Sequence, residues 1–215
     1  MHNKTVDETT NGTGRINSFT LKEIQELDAG CKWTIDGKTF PFQCQGIRVP
    51  TLKEVFEAFP ETRMVIEIKQ TKPSIVKPLA DLIRDYKMTE KVLVASFYHR
   101  ALKEFRRECP EVATSASTLE LFKFLIGNTL FKGLAKVPAI DAVQVGIRFF
   151  NIPIPFINRR TIQAARDMNI PIQAWTVNGW DDMKKMISAG VDGIITDNPS
   201  ELLRTLNRHK KQISK

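Results

Sequence analysis

The chain has 215 residues, 42% hydrophobic and 26% charged, which suffices for one sizeable core and excludes the compositional poverty of a disordered protein. Its formal charge of +8 sets up a positive field suited to phosphate esters, anionic membrane surfaces or nucleic acid, but no aromatic-interleaved basic stripe or nucleic-acid motif accompanies it, so nucleic acid is not expected as a partner. Cys31, Cys44 and Cys109 stand at spacings that fit neither a disulfide framework nor a zinc site, and no apolar run approaches the roughly 18 residues of a membrane span or the pattern of a signal peptide.

In chain order, the first stretch is "HNKTVDETTNGTG", turn chemistry without apolar periodicity. It reads either as a frayed tail or as a functional loop whose preceding strand is not in this chain. "INSFTLKEIQELDAG" predicts a loop and a short helix ending at Gly30. "VPTLKEVFEAFPE" predicts a second helix, with Thr51 as N-cap and Glu54 completing a capping box. Between them "CKWTIDGKTFPFQCQGIR" has no clear period and reads as an excursion on the rim of the fold.

From residue 64 the pattern changes, and short β-rich apolar runs alternate with helical ones. The predicted strands are "MVIEIK" (64–69), "KVLVASF" (91–97), "VATSAS" (112–117), "DAVQVG" (141–146), "PIQAWTV" (171–177) and "GIITD" (193–197). The helices between them carry apolar residues three and four apart, such as Ile75, Val76, Leu79, Leu82, Ile83 and Tyr86, or Ile162, Ala165 and Met168. Gly190 marks one helix end, and Asn198, Pro199 and Glu201 begin the last helix as N-cap, first residue and capping-box partner. The strands end in polar or aromatic residues: Glu67 and Lys69, Ser96 and Phe97, Ser115 and Ser117, Gln144, Trp175, Thr196 and Asp197. In a (β/α) barrel those ends form the face that carries chemistry, whereas the Gly-rich first turn of a dinucleotide-binding sheet is absent.

Strand period two puts Glu67 and Lys69 on one face and Ile66 and Ile68 on the other. Two opposite charges at that position form a plain ion pair, or Glu67 binds a hard divalent cation while Lys69 meets a phosphoryl oxygen. Trp175 is either core packing or a wall of a ligand pocket. The run "FFNIPIPFI" (149–157), broken by Pro153 and Pro155, is either an apolar lip beside a site or buried rim packing. His99, at a helix start, reads as a surface or capping residue, and His209 lies in a basic tail.

Taken in order, "HNKTVDETTNGTG", "LDAG", "VPTLKEV", "VIEIK", "VASF", "AWTVN" and "GVDGIITDNPSEL" resemble the glycerophosphodiester phosphodiesterases from residue 2 to about residue 206. The resemblance implies an α/β fold, a TIM (β/α)8 barrel of which six βα units are present and the first two are lacking. It makes residues 1–215 a single domain, with 1–63 the active-site loop and rim excursion and 64–215 the βα units. The implied activity is hydrolysis of glycerophosphodiesters to sn-glycerol 3-phosphate and an alcohol. On the same footing His2 is the catalytic acid/base, Glu67 one of three carboxylate ligands to a divalent metal, Ca or Mg, Lys69 the group that neutralises phosphate charge, and Trp175 a wall of the glycerol-side pocket.

The family's His-Arg-Gly and Glu-x-Asp strand ends find no counterpart here, and Asn3 stands where the family usually has Asp. One carboxylate does not supply the six or more oxygens such a cation wants, so the metal site is expected to be incomplete and the chain alone to turn over slowly or not at all. Open strand edges at "VIEIK" and "GIITD" are expected to favour self-association. Two other activities stay open: a lysophospholipase D-like hydrolysis with the apolar lip receiving an acyl chain, and non-catalytic binding of phosphate esters or an anionic membrane. The chain as written is expected to be soluble, and cytoplasmic if no N-terminal segment was lost.

Overall fold

The computed structural model describes residues 2–130, 140–149, 152–153 and 156–213. The chain divides into two compact units, Met1–Pro60 and Glu61–Lys215.

In the first unit the Thr/Asn/Gly loop folds back on itself through a Thr5–Arg15 antiparallel bridge, with Val6 N–H donating to Gly14 O and Ile16 N–H to Lys4 O, both at 3.0 Å. Val6 and Thr10 are fully buried beneath it, and the Thr10 hydroxyl donates to Val6 O at 2.8 Å. Two short helices follow, α1 (Leu21–Glu26) and α2 (Leu52–Ala58). Each begins with the same tetrapeptide, Thr-Leu-Lys-Glu, and each is closed by a reciprocal capping box, Thr20 with Glu23 and Thr51 with Glu54.

The predicted helix end at Gly30 is corrected: α1 stops at Glu26 and Leu27 is extended. Asp28 is the reason. Its carboxylate accepts the Gly30 N–H at 2.9 Å and the Cys44 N–H at 2.8 Å, offering the backbone a turn in place of another helical residue. Gly30 must be glycine here, because a Cβ would lie 2.4 Å from the Phe42 carbonyl oxygen. The excursion beyond is tied by Trp33 edge-on to Phe42, centroids 4.8 Å apart, and by Asp36, which accepts the N–H groups of Lys38 and Thr39.

The second unit begins with β1 (Met64–Glu67), α3 (Val76–Asp85), β2 (Val92–Ala95), α4 (His99–Glu108), β3 (Ala113–Thr114) and α5 (Thr118–Leu130). It continues with β4 (Val143–Gly146), β5 (Arg148–Phe149), β6 (Ile152–Pro153), α6 (Arg159–Asp167), β7 (Ile172–Trp175), α7 (Trp180–Ala189), β8 (Gly193–Ile194) and α8 (Pro199–Ile213). The parallel order is β1-β2-β3 and β4-β7-β8, and a parallel Ser115–Ala142 bridge joins the two sets. Every predicted strand is present in shorter form. The β5–β6 antiparallel ribbon was not predicted, and it covers part of the "FFNIPIPFI" run, of which residues 150, 151, 154 and 155 lie outside the described residues.

Six parallel strands with helical crossovers are the (β/α) barrel pattern. One face of the sheet is dry: Val92, Val94, Val143, Val145, Ile172 and Ala174 are buried against helices. The helices meet it with the faces their periodicity predicts, Val76, Leu79 and Ile83 from α3, Leu102 and Phe105 from α4, Ile162 and Ala165 from α6. Burying one such side chain contributes about 1.5–3 kcal/mol, and the sum holds the strand ends in place.

Candidate active site

The face opposite the helices carries the polar strand ends. In β1 and the two residues after it, Val65, Glu67 and Lys69 project to one side while Ile68 is buried on the other. Glu67 and Lys69 are bonded, Nζ to Oε2 at 3.0 Å, with side chains 31% and 38% exposed. A pair this accessible loses little hydration and leaves the ammonium hydrogens open to another acceptor.

The neighbouring strand ends are fastened from behind. Ser96 is buried, and its hydroxyl donates to Ile68 O at 2.7 Å, locking the end of β2 to the end of β1. Phe97, the next residue, swings to the open face and meets Trp175 at the end of β7, ring centroids 5.7 Å apart and planes at 78°. Trp175 also lies over Gly146 of β4, where an added Cβ would come within 3.4 Å of the indole. Residues from the ends of three strands thus meet at Trp175.

Asn178 performs a similar task between β7 and β8. It donates to Asp197 Oδ2 at 2.7 Å and accepts from the Thr196 hydroxyl and the Asp197 N–H. Sequence reasoning missed this residue, although it follows Trp175 by three positions in "AWTVN". His99, read as a surface or capping residue, is not the cap: the cap residue is Tyr98, without a side-chain cap bond, and His99 Nδ1 sits 3.1 Å from Ser117 Oγ on a part-exposed side chain. Ser117 belongs to a buried cluster with Glu120 and Arg106. Burial pushes the Glu120 carboxyl up, but the Arg106 guanidinium and the Ser117 N–H and hydroxyl outweigh it and hold the group below its ordinary value.

In the first unit, His2 is exposed and its Nδ1 lies 2.7 Å from Asn3 Oδ1. An amide oxygen only accepts, so Nδ1 is the donor in this bond and Nε2 is left to another partner. Asn3 therefore keeps the orienting bond to His2 without the charge of an aspartate. The same loop holds Asp7, whose carboxylate is kept below its ordinary range chiefly by the Gly14 N–H.

A divalent cation is not accommodated by these residues. Among the described residues no three His, Cys, Asp or Glu side chains converge, and Glu67 is already engaged with Lys69. Six or more oxygen ligands at short range are what such an ion demands.

Residues 1–201 match the model of the glycerophosphoryl diester phosphodiesterase family. A glycerophosphodiester phosphodiesterase of Caldanaerobacter subterraneus subsp. tengcongensis is 32% identical over 213 residues, covering 97% of this chain and 79% of that protein. The lysophospholipase D GDPD1 of Mus musculus is 27% identical over 224 residues, covering 89% of this chain and 68% of that protein. Among solved structures, the glycerophosphoryl diester phosphodiesterase domain of Rv2277c from Mycobacterium tuberculosis superposes with a TM-score of 0.78 at 18% identity, over 97% of this chain and 82% of that one. A phosphodiesterase of Oleispira antarctica, solved in complex with the product sn-glycerol-3-phosphate, does so with a TM-score of 0.70 at 19% identity, over 96% and 78%.

Proposed function

The chain belongs to the glycerophosphoryl diester phosphodiesterase family, and on that premise we propose that it hydrolyses glycerophosphodiesters to sn-glycerol 3-phosphate and an alcohol, with Lys69, His2 and Trp175 in named roles. The observation that carries this reading is the accessible Glu67–Lys69 pair at the end of β1. A phosphodiester bears one negative charge that grows on its non-bridging oxygens as the P–O bond breaks. Lys69 is the cation we assign to meet it, and stabilising that developing charge is typically the greatest single contribution such a site makes to the rate. His2 exposes Nε2 as the base, and once protonated it is the acid that supplies the leaving oxygen's proton. Trp175, held edge-on by Phe97, gives the carbon skeleton of the glycerol a flat apolar wall.

The family is generally metal-dependent, and the resemblance assigns Glu67 to the cation, but the described residues do not form a site for one. Because Glu67 is bonded to Lys69 and no further ligand converges on it among the described residues, we expect slow turnover by this chain. Contact with an anionic membrane and self-association through β1, which is paired on one side only among the described residues, are further parts of the proposal.

A lysophospholipase D reading is the second candidate, favoured by the likeness to the mouse protein and by the apolar sequence "FFNIPIPFI" after β4. Glycerophosphocholine and lysophosphatidylcholine offered separately decide between the two. Release of sn-glycerol 3-phosphate from the first at a higher kcat/KM supports the proposal, and preference for the second replaces it.

A further inference from the structure

A cleft of about 350 Å³ opens between the loop after β1 and the start of α4, with Lys72, Ser74, His99, Arg100 and Glu104 on its walls and without Glu67, Lys69 or Trp175 in its lining. We propose that this cleft is a second anion site, one that takes a phosphate monoester in preference to a diester.

Charge supplies the attraction. Lys72 and Arg100 are exposed, and neither has an ion-pair or hydrogen-bond partner among the described residues. Glu104 is the one carboxylate in the lining, and it already accepts the Ser74 hydroxyl at 2.8 Å. α4 opens here with no acidic residue in its first turn and no side-chain cap, so the backbone adds the same sign of field.

His99 supplies the selectivity. The Ser117 hydroxyl gives its one proton to Glu120 Oε2 at 2.8 Å, so the same oxygen can only accept from His99. The bond of 3.1 Å therefore carries the proton on Nδ1, and Glu120 Oε1 lies 3.8 Å from that nitrogen. Arg106 clamps Glu120 at 2.6 Å and the whole relay is fixed from behind. On its other side the ring presents Nε2, with no partner among the described residues, on a side chain 36% exposed.

A phosphodiester anion has no proton to give such a nitrogen. A monoester, with a second pKa of about 6, has near neutral pH both a P–OH to give Nε2 and, in its dianionic form, a second charge to face Lys72 and Arg100, and a diester has neither. The product of the proposed hydrolysis is itself a monoester. Retention of that product in the cleft rests on the proposed function; the binding site does not.

The test is titration of the full chain with inorganic phosphate, sn-glycerol 3-phosphate and glycerophosphocholine, reading the His99 ring signals by NMR and affinity by calorimetry. The two monoanion-to-dianion ligands are expected to shift His99 and the diester not to. Replacing Lys72→Gln and Arg100→Gln, both exposed and so neutral for folding, weakens phosphate roughly tenfold for each charge removed. Lys69→Met leaves the His99 response unchanged. A response to soluble glycerol phosphate identifies a soluble ligand, and a response only to phosphatidic acid vesicles identifies the same headgroup on a lipid. No His99 response to either, an equal response to the diester, or undiminished phosphate binding in the Lys72/Arg100 variant overturns the proposal. Hydrolysis assayed on the same samples keeps failure of the proposed function separate from failure of the cleft.

Discussion

Each of the two units is stabilised internally by different physics. In Met1–Pro60 the backbone is satisfied largely by side chains: Thr20 and Thr51 cap the helices, and Asp7, Asn11, Asp28 and Asp36 accept loop N–H groups. Its buried apolar residues are few, with Val6 and Phe56 foremost. In Glu61–Lys215 the backbone is satisfied by parallel ladders and helices, and the stability comes from apolar clusters packed between them. The charges divide the same way: seven basic residues against eight acidic in the first unit, twenty-five against sixteen in the second. The excess positive charge therefore belongs to the unit with the rigid sheet, while the histidine proposed as acid/base is carried by a loop whose shape depends on carboxylates and hydroxyls.

The sharpest way to break this contrast is to hollow that packing. Phe105→Ala, at a fully buried position of α4, is expected to cost about 3–5 kcal/mol in denaturant unfolding. If the loss were no larger than that of a surface substitution, the second unit would not be core-stabilised. Next in size is Arg106→Met, which strands the buried Glu120 carboxylate and costs about 3 kcal/mol. Adding Glu120→Gln to it should recover part of the loss, and no recovery would show that the ion pair is not the cause.

Acid should separate the units more gently. Arg48 first and the Thr51 N–H second hold Glu54 at about 2 against an ordinary 4.5. A folded-state value below the unfolded one stabilises above pH 4.5, and that stabilisation is lost as pH falls from there toward 2. Asp7, Glu23 and Asp36 are lowered in the same direction by backbone N–H groups, so four carboxylates of the first unit act together. The second unit has Glu111, held at about 2 by Arg84, and Glu120. Amide exchange at pH 3 is expected to open the first unit before the second, and the opposite order would refute the contrast. The smallest effect is Thr51→Ala, about 1 kcal/mol for the lost cap, read as faster exchange in α2 alone.

How much of this was legible in the sequence depended on how local the cause is. Strand period alone put Glu67 and Lys69 on one face, because alternation needs no partner to be known. The Thr51–Glu54 box was read from its spacing, and the identical Thr20-to-Glu23 spacing and the Ser117-to-Glu120 spacing could have been read in the same way. The end of α1 was misplaced because Ile24 and Leu27 continue the apolar period, while the competing acceptor, Asp28, acts on Cys44, sixteen residues away. The His99–Ser117 bond was out of reach for the same reason, since Ser117 lies beyond a helix and a strand. Nor could periodicity bring Phe97 of one strand end to Trp175 of another, since that contact exists only once β2 and β7 are placed by the sheet. The role of His2 rests on family resemblance, to which the structure adds its orienting bond to Asn3.

Whether Lys69 meets the charge on a glycerophosphodiester is tested most directly by following glycerophosphocholine by phosphorus NMR, with added divalent cation, in the unaltered chain and in Lys69→Met. The expected result is slow appearance of sn-glycerol 3-phosphate, with the rate falling by about 10²–10³-fold in the variant. Equal rates in the two proteins, or no product from the unaltered chain, would contradict it.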